Sequence, residues 1–313
     1  MANRSDNSSS PDYAAILQTI LEVIVFHIKF WFATFEGIVR SFLPKEEVDV
    51  RGKFVFITGT GHGMGKYMAQ QYAGLGAKII CVDVNEKNNT QTVKEIKQGG
   101  GSAFGYTCDV TNRQAIFELA EKVQQEHGFI EIIVNNAGIM PCRPLLEQTE
   151  QEIRLMYDVN VMAHFWILQA FLPQMISKNK GHIVAMSSCA GLFGLPNLVP
   201  YCGTKFAVRG IMQSMNEELR RLNKQNNIKF TTIYPYMVDT GLCKNPHFRF
   251  SWMKMVEPKE AASAIIYAQR TGLEEVSIPR HYIYLEKIGR LWPRKAMRVA
   301  NDFVDAYVES DKK

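Results

Sequence analysis

The chain has 313 residues, enough at roughly 100–200 residues per domain for one large domain or two small ones. Hydrophobic residues at 46 % and charged residues at 21 %, with 22 Gly and 12 Pro, match ordinary globular usage and exclude a collagen-like, low-complexity or wholly disordered chain. Lys and Arg total 36 against 31 Asp and Glu, and the net +5 is too small and too scattered to argue for a nucleic-acid partner.

Residues 1–13 open with MANRSDNSSSPD, too polar to pack, and read as a disordered lead. Residues 14–43 are mostly apolar, but Glu22, Lys29, Glu36 and Arg40 interrupt them, which argues against a simple transmembrane helix. With Gln18 these residues recur at intervals of 4, 7, 7 and 4, one narrow polar stripe on an otherwise apolar helix that carries Trp31. Such a helix suits a membrane interface; the alternative is packing on the protein's own core or a dimer partner. The length of the apolar run, Arg4 balanced by Asp6, and the lack of a small-residue cleavage site argue against a cleaved signal peptide.

Pro44 and the KEEVD run separate this segment from residues 44–280, where short apolar runs alternate with stretches of helical period. Lys53–Thr58, Lys78–Val82, Ala103–Thr107, Ile130–Asn135, His182–Ser187 and Lys229–Tyr234 are near-continuously apolar, as buried parallel strands are. They predict an α/β domain, a single Rossmann-like doubly wound parallel sheet of about seven strands with an N-terminal membrane-associated helix. Cys81, Cys108, Cys142, Cys189, Cys202 and Cys243 form no C-x-x-C pair, so they suggest neither a disulfide framework nor a metal site and read as free thiols of a reducing compartment.

The first strand runs into Thr58-Gly59-Thr60-Gly61-His62-Gly63-Met64-Gly65, a T-G-x-x-x-G-x-G turn ahead of a helical stretch. A turn without Cβ atoms lets backbone N–H groups and the helix N-terminus approach a pyrophosphate, although it also serves as a tight connection. Asp83 ends the second strand 20 residues after Gly63, placed to accept hydrogen bonds from an adenosine ribose. A 2′-phosphate would meet its charge, which favours NAD over NADP; the alternative is that Asp83 only caps the loop into the next helix.

Ser188 follows the fifth strand by one residue, and Tyr201 and Lys205, four apart, share a helix face 13 residues on. An ammonium beside a phenol favours the phenolate and makes the tyrosine a usable acid and base. A Tyr-x-x-x-Lys pair is otherwise an ordinary helix-surface pair; what distinguishes this one is the Ser after a buried strand and the N-N-A-G run Asn135–Gly138 at the end of the strand before. At the far end, residues 281–313 form a basic amphipathic extension in which Lys287, Arg290, Arg294, Lys295 and Arg298 interleave with Tyr282, Tyr284, Leu291 and Trp292. It suits anionic headgroups or equally a solvated helix with its apolar side packed, and Pro293 must break any helix there.

Together, the glycine turn Thr58–Gly65, Asp109-Val110, Asn135–Gly138, Asn160, Ser188, Tyr201 and Lys205 resemble the short-chain dehydrogenase/reductase superfamily over nearly all of residues 50–280. The resemblance implies a catalytic tetrad of Asn160, Ser188, Tyr201 and Lys205. Tyr201 would take the substrate hydroxyl proton, Ser188 would hold the substrate oxygen, Lys205 would bind the nicotinamide ribose, and Asn160 would position a water of the proton relay. It implies cofactor contacts at Thr58, Gly59, Gly63, Gly65, Asp83, Asp109, Asn136, Tyr201, Lys205, Val238 and Thr240, Asp109 at the adenine. Tyr236 stands where the family usually has a glycine after Pro235, so the backbone approach to the nicotinamide differs at that edge.

The stretches GHGMG, NNAGIMPCRPLL, NVMAHFWILQAFLPQM, GHIVAMSS and YCGTKFA are similar to the membrane-associated group that contains 17β-hydroxysteroid dehydrogenases 11 and 13, retinol dehydrogenase 10 and epidermal retinol dehydrogenase 2. That similarity implies an endoplasmic reticulum or lipid-droplet enzyme facing the cytosol, NAD-preferring, acting on retinol, a hydroxysteroid or another lipophilic alcohol, and a homodimer through the helices that hold Asn160 and Tyr201. Phe248, Phe250, Trp252, Met253 and Met255 give the expected substrate lid an apolar, adaptable character, or else pack that loop. The alternatives are a carbonyl reductase of lipid aldehydes or xenobiotics and a non-catalytic lipid-droplet scaffold.

Overall fold

In a computed structural model, residues 12–43, 45–250 and 253–311 are described. Most of the expected disordered lead, Pro44 and the lid residue Trp252 lie outside them. The chain divides at Glu46 and Glu47 into two compact units. In the first, α1 (Tyr13–Phe42) begins where the Asp12 carboxylate accepts from the N–H groups of Ala14 and Ala15 at 3.1 and 3.2 Å. The polar residues partly satisfy one another: the Gln18 amide donates to Glu22 at 3.0 Å, and Arg40 pairs with Glu36 at 2.7 Å. By length and composition Tyr13–Arg40 is able to cross a membrane, despite the interruptions.

The second unit runs β1 (Phe54–Thr58), α2 (Gly63–Gly74), β2 (Lys78–Asp83), α3 (Glu86–Gln98), β3 (Ser102–Thr107), α4 (Arg113–His127), β4 (Ile132–Asn135), α5 (Glu150–Tyr157), α6 (Ala163–Lys178), β5 (Gly181–Met186), α7 (Val199–Leu222), β6 (Ile228–Pro235), β7 (Pro246–Phe248), α8 (Pro258–Arg270), β8 (Glu275–Ile278), α9 (His281–Gly289), α10 (Arg294–Val304) and β9 (Ala306–Val308). Seven strands form one parallel sheet in the order β3-β2-β1-β4-β5-β6-β8, and β7 pairs antiparallel with β9 apart from it. The expected doubly wound sheet is present, its seventh strand being β8.

The strands are apolar on both faces because both are covered. On one side Met68, Ala69 and Tyr72 of α2, Ile96 of α3 and Ile265 of α8 pack on Val55, Ile57, Ile79 and Val134. On the other Ile116 and Val123 of α4, Ile167 and Phe171 of α6 and Val208 of α7 pack on Phe56, Ile80, Ile133 and Ile183. Strand order reverses between β1 and β4, which opens a crevice at their carboxyl ends, Thr58 and Asn135.

A buried polar chain crosses the first of these layers. The Tyr72 hydroxyl donates to Gln269 at 3.0 Å, the Gln269 amide meets His182 at 3.1 Å, and the far ring nitrogen of His182 meets Thr231 at 2.8 Å. Burial, and then the charges of Lys229 and Lys53, hold His182 at about 3; burial and then Lys205 hold His164 at about 3 as well. Below about 6.5 the unfolded chain binds protons that these folded imidazoles refuse, so stability is complete above that pH and falls as pH drops toward 3. Urea unfolding at pH 7 and pH 5 should show a loss of about 2 kcal/mol per buried imidazole, and His182→Gln should remove about half of that dependence.

Candidate active site

The turn after β1 is built around contacts that leave no room for side chains. Gly59 and Gly63 sit at φ +72° and +57°, and a Cβ on Gly65 would lie 2.0 Å from the Gly59 carbonyl oxygen. The turn is tied to β4: Thr58 Oγ1 accepts from the N–H groups of Asn136 and Ala137 at 3.0 Å, and the Asn136 amide donates to the carbonyls of Thr58 and Gly59 at 2.8 and 3.2 Å. One Asp83 oxygen accepts from Gly61 N–H and the other from Asn85 N–H, each at 2.8 Å, so Asp83 holds the glycine turn and caps the loop into α3 at once. The Cβ-free turn and the open N-terminus of α2, where His62 offers no side-chain cap, fit the pyrophosphate of a dinucleotide.

Asp109, exposed at the end of β3, accepts from the Thr111 N–H and hydroxyl at 2.9 and 2.8 Å. Past β6, Thr240 packs toward Gly63, its Cβ 3.1 Å from where a Gly63 side chain would begin, and Val238 forms a bridge with Val256.

The tetrad comes from three elements. Asn160 lies in a wide π-helical turn, Asp158–Met162, between α5 and α6, and is fully buried. Its side chain accepts from Ile139 N–H at 2.9 Å, donates to the Ile139 carbonyl at 2.9 Å and reaches Thr204 at 3.2 Å, joining the β4 loop to α7. Ser188 opens a short 3-10 turn at Cys189–Gly191, accepting from Ala190 N–H at 3.1 Å and lying 3.4 Å from the Pro235 carbonyl. Lys205 donates to the Met186 carbonyl at 2.9 Å, its Nζ 5.5 Å from the centre of the Tyr201 ring.

Burial dominates the electrostatics of this group. It pushes the Tyr201 phenol well above its ordinary value, against a hydrogen bond with Ser188 that lowers it, and it brings the Lys205 ammonium down to about 8. The ammonium that the sequence places beside the phenol lies over the ring and donates to a backbone carbonyl.

Ser188, Tyr201 and Lys205 line one cavity of about 110 Å³ with Asn136, Val238 and Thr240. Asn160 stands behind its wall, and Thr58, Gly59, Gly63, Gly65, Asp83 and Asp109 lie along the crevice outside it. Met140, Leu195, Leu198, Met237, Cys243 and Val308 complete the lining. Sequence patterning did not single these out, and Val308 reaches the cavity only because β9 pairs with β7 in the lid segment. A Gly65→Ala variant should lose NADH binding, followed by fluorescence titration, by 100-fold or more or fail to fold; Gly74→Ala, with open space around its Cβ, should stay within about 1 kcal/mol of the parent.

The family model for short chain dehydrogenases matches residues 53–247. Human 17-beta-hydroxysteroid dehydrogenase 13 is 33 % identical over 285 residues, covering 91 % of this chain and 94 % of the relative. Human epidermal retinol dehydrogenase 2 is 32 % identical over 305 residues, covering 95 % and 98 %. Among solved structures, a short chain dehydrogenase/reductase from Burkholderia phymatum in complex with NAD superposes with a TM-score of 0.70 at 23 % identity, covering 76 % of this chain and 93 % of that one. A metagenomic short-chain oxidoreductase in complex with NADP gives 0.62 at 27 % identity, covering 73 % and 97 %. With the parallel sheet, the glycine cradle at its switch point and the Ser, Tyr and Lys side chains in one cavity, these similarities make the chain a member of the short-chain dehydrogenase/reductase family.

Proposed function

We propose that the chain is an NAD-preferring oxidoreductase that interconverts a lipophilic alcohol, retinol or a hydroxysteroid being the types that its relatives' names carry, with the matching carbonyl compound. The observation that carries this reading is the convergence of Ser188, Tyr201 and Lys205 in one apolar cavity beside the glycine cradle. Thr58–Gly65, Asp83, Asp109, Asn136, Lys205, Val238 and Thr240 are the residues that would hold the cofactor, whose nicotinamide when bound supplies the hydride acceptor.

Ser188 Oγ holds the substrate oxygen and the Tyr201 phenol oxygen takes its proton. Because burial favours the neutral phenol, ionisation of Tyr201 leans on the group that opposes burial, the hydrogen bond with Ser188. Lys205 carries its charge below its pKa of about 8. Asn160 positions rather than reacts: it holds the Ile139 backbone against α7. Run in reverse, the same groups deliver the proton to a carbonyl oxygen, so reductase activity is the same chemistry in the other direction. The complete tetrad weighs against a non-catalytic scaffold.

The Asp83 carboxylate, buried at the end of β2, supports NAD because the 2′-phosphate of NADP would bring a second negative charge beside it. The apolar circumference of α1 supports attachment to endoplasmic reticulum or lipid-droplet membrane with the catalytic unit in the cytosol. Exposed Leu155, Phe165 and Phe206 on α5, α6 and α7 support a homodimer through those helices.

The first experiment follows NADH formation by membrane-reconstituted protein with all-trans-retinol, a 17β-hydroxysteroid and a long-chain alcohol in parallel. One of them should be oxidised, and Tyr201→Phe should lower kcat by about 10²- to 10⁴-fold while NADH still binds. Silence with all three substrates, from protein that binds NADH, refutes the reading. Replacing the charge in Asp83→Asn should raise kcat/KM for NADP relative to NAD by roughly tenfold or more, about 1.4 kcal/mol of relieved like-charge repulsion.

A further inference from the structure

The catalytic cavity is too small for the ligand its lining suits. At about 110 Å³ it falls short of the ~300–1,000 Å³ that enclose a drug-sized molecule, and the nicotinamide claims part of it. A second cavity of about 680 Å³ lies against it, with Leu195 and Tyr236 lining both. The loop at 193–196 walls it on one side and α9 and α10 on the other.

The walls are fixed. Buried Glu286 ties α9 to Arg209 at 3.0 Å, and the Ile283 N–H donates to Ser277 Oγ at 2.9 Å. Arg249 grips the end of α10 by donating to the carbonyls of Phe303 and Asp302 at 3.0 and 3.3 Å. Yet Leu285, Ile288 and Trp292, all lining the cavity, remain 53 %, 54 % and 61 % exposed. Large apolar side chains held open by a rigid frame gain free energy when hydrocarbon covers them. Charged and amide side chains in the lining, Asn301, Asp302 and Asp305, gather around the end of α10, and the rest is aliphatic or aromatic, with further polar groups at the Tyr236, Tyr282 and Tyr307 hydroxyls.

Between the two cavities Tyr236 stacks on Tyr282, ring centres 4.6 Å apart and 19° from parallel. Burial raises both phenols, so the partition is uncharged. Tyr236 is the residue that replaces the small one expected after Pro235, and its stacking partner belongs to the C-terminal segment.

We propose that this second cavity is a chamber for the apolar tail of the substrate, entered past the Tyr236–Tyr282 pair, and that it selects alcohols whose carbinol end reaches Ser188 and Tyr201 while an extended hydrocarbon tail fills the space against α9 and α10. This rests on the alcohol dehydrogenase reading above and names the substrate class of that site.

The test is a series of primary alcohols from four to sixteen carbons, each below its critical aggregation concentration, oxidised with NAD by the full chain in phospholipid nanodiscs. In the wild type kcat/KM should rise roughly three- to fourfold per methylene over the middle of the series, as burial of each CH₂ predicts, and then level off. Gly194→Phe fills the chamber from a position with nothing within 4 Å of its Cβ, and Ala300→Trp fills it from α10. In each variant the rise should stop earlier and kcat/KM for the longest alcohols should fall at least tenfold, through KM rather than kcat. NADH binding reports that the variants are folded, and either one suffices.

A flat series in the wild type, with turnover present, overturns the chamber and leaves the dehydrogenase reading standing. So does a rise that neither folded variant changes. No turnover of any alcohol in the series by protein that binds NADH overturns the chamber, and silence with all-trans-retinol and the 17β-hydroxysteroid as well removes the reading beneath it.

Discussion

The space between the Gly59 carbonyl and Gly65 is smaller than a methyl group, and the architecture of the site is arranged around that exclusion. With no side chain in the way, the first turn of α2 closes onto the end of β1, and the Asn136 amide reaches across to the Thr58 and Gly59 carbonyls. Thr58 returns the tie through its hydroxyl. The crevice between β1 and β4 is thus held by hydrogen bonds at its base and lined above by unpaired helix N–H groups, an arrangement that favours an anion there. The cradle and the catalytic cavity share Asn136, so chemistry and cofactor are referenced to one backbone junction.

Dryness is the second constraint. Burial pushes Tyr201, Lys205 and His164 each toward its neutral form within a few residues of space. A site of this kind resists ionisation until something charged arrives, and it magnifies whatever charge does arrive, because little solvent is left to screen it. The Ser188 hydroxyl is the group in the lining whose hydrogen bond acts against the trend on the phenol. The buried Asn160 bridge between Ile139 and Thr204 ties the loop after β4 to α7, the helix that carries Tyr201 and Lys205.

How far this was legible in the sequence follows from the range of each interaction. Buried parallel strands announce themselves by unbroken runs such as Phe54–Thr58, and the glycine turn and the Tyr201 and Lys205 spacing are local patterns. Asp83 was read as either a ribose ligand or a cap; the structure shows the cap and a hold on Gly61 together, which no spacing distinguishes. Asn160 was expected to position a water of the proton relay; it lies in a π-helical turn, where its side chain bridges Ile139 and Thr204. The strip after residue 280 read as a face for anionic headgroups or as a solvated helix with its apolar side packed. Its Tyr282, Ile288 and Trp292 line a cavity, and a stripe of apolar residues carries the same signature whichever apolar space it faces. The three-residue strands β7 and β9 are too short to show any period at all.

Val308 lines the catalytic cavity, and its carbonyl accepts from the thiol of Cys142, 166 residues away along the chain. Contacts of that separation form late, since the entropy of closing so long a loop is lost before the contact returns anything. The sheet and its glycine cradle carry contacts as long: the Tyr72 hydroxyl reaches Gln269, and Thr240 packs toward Gly63. Cradle and reaction cavity are thus both completed by the last third of the chain, which supplies Thr240, Gln269 and Val308, so neither competence is whole until that third is in place.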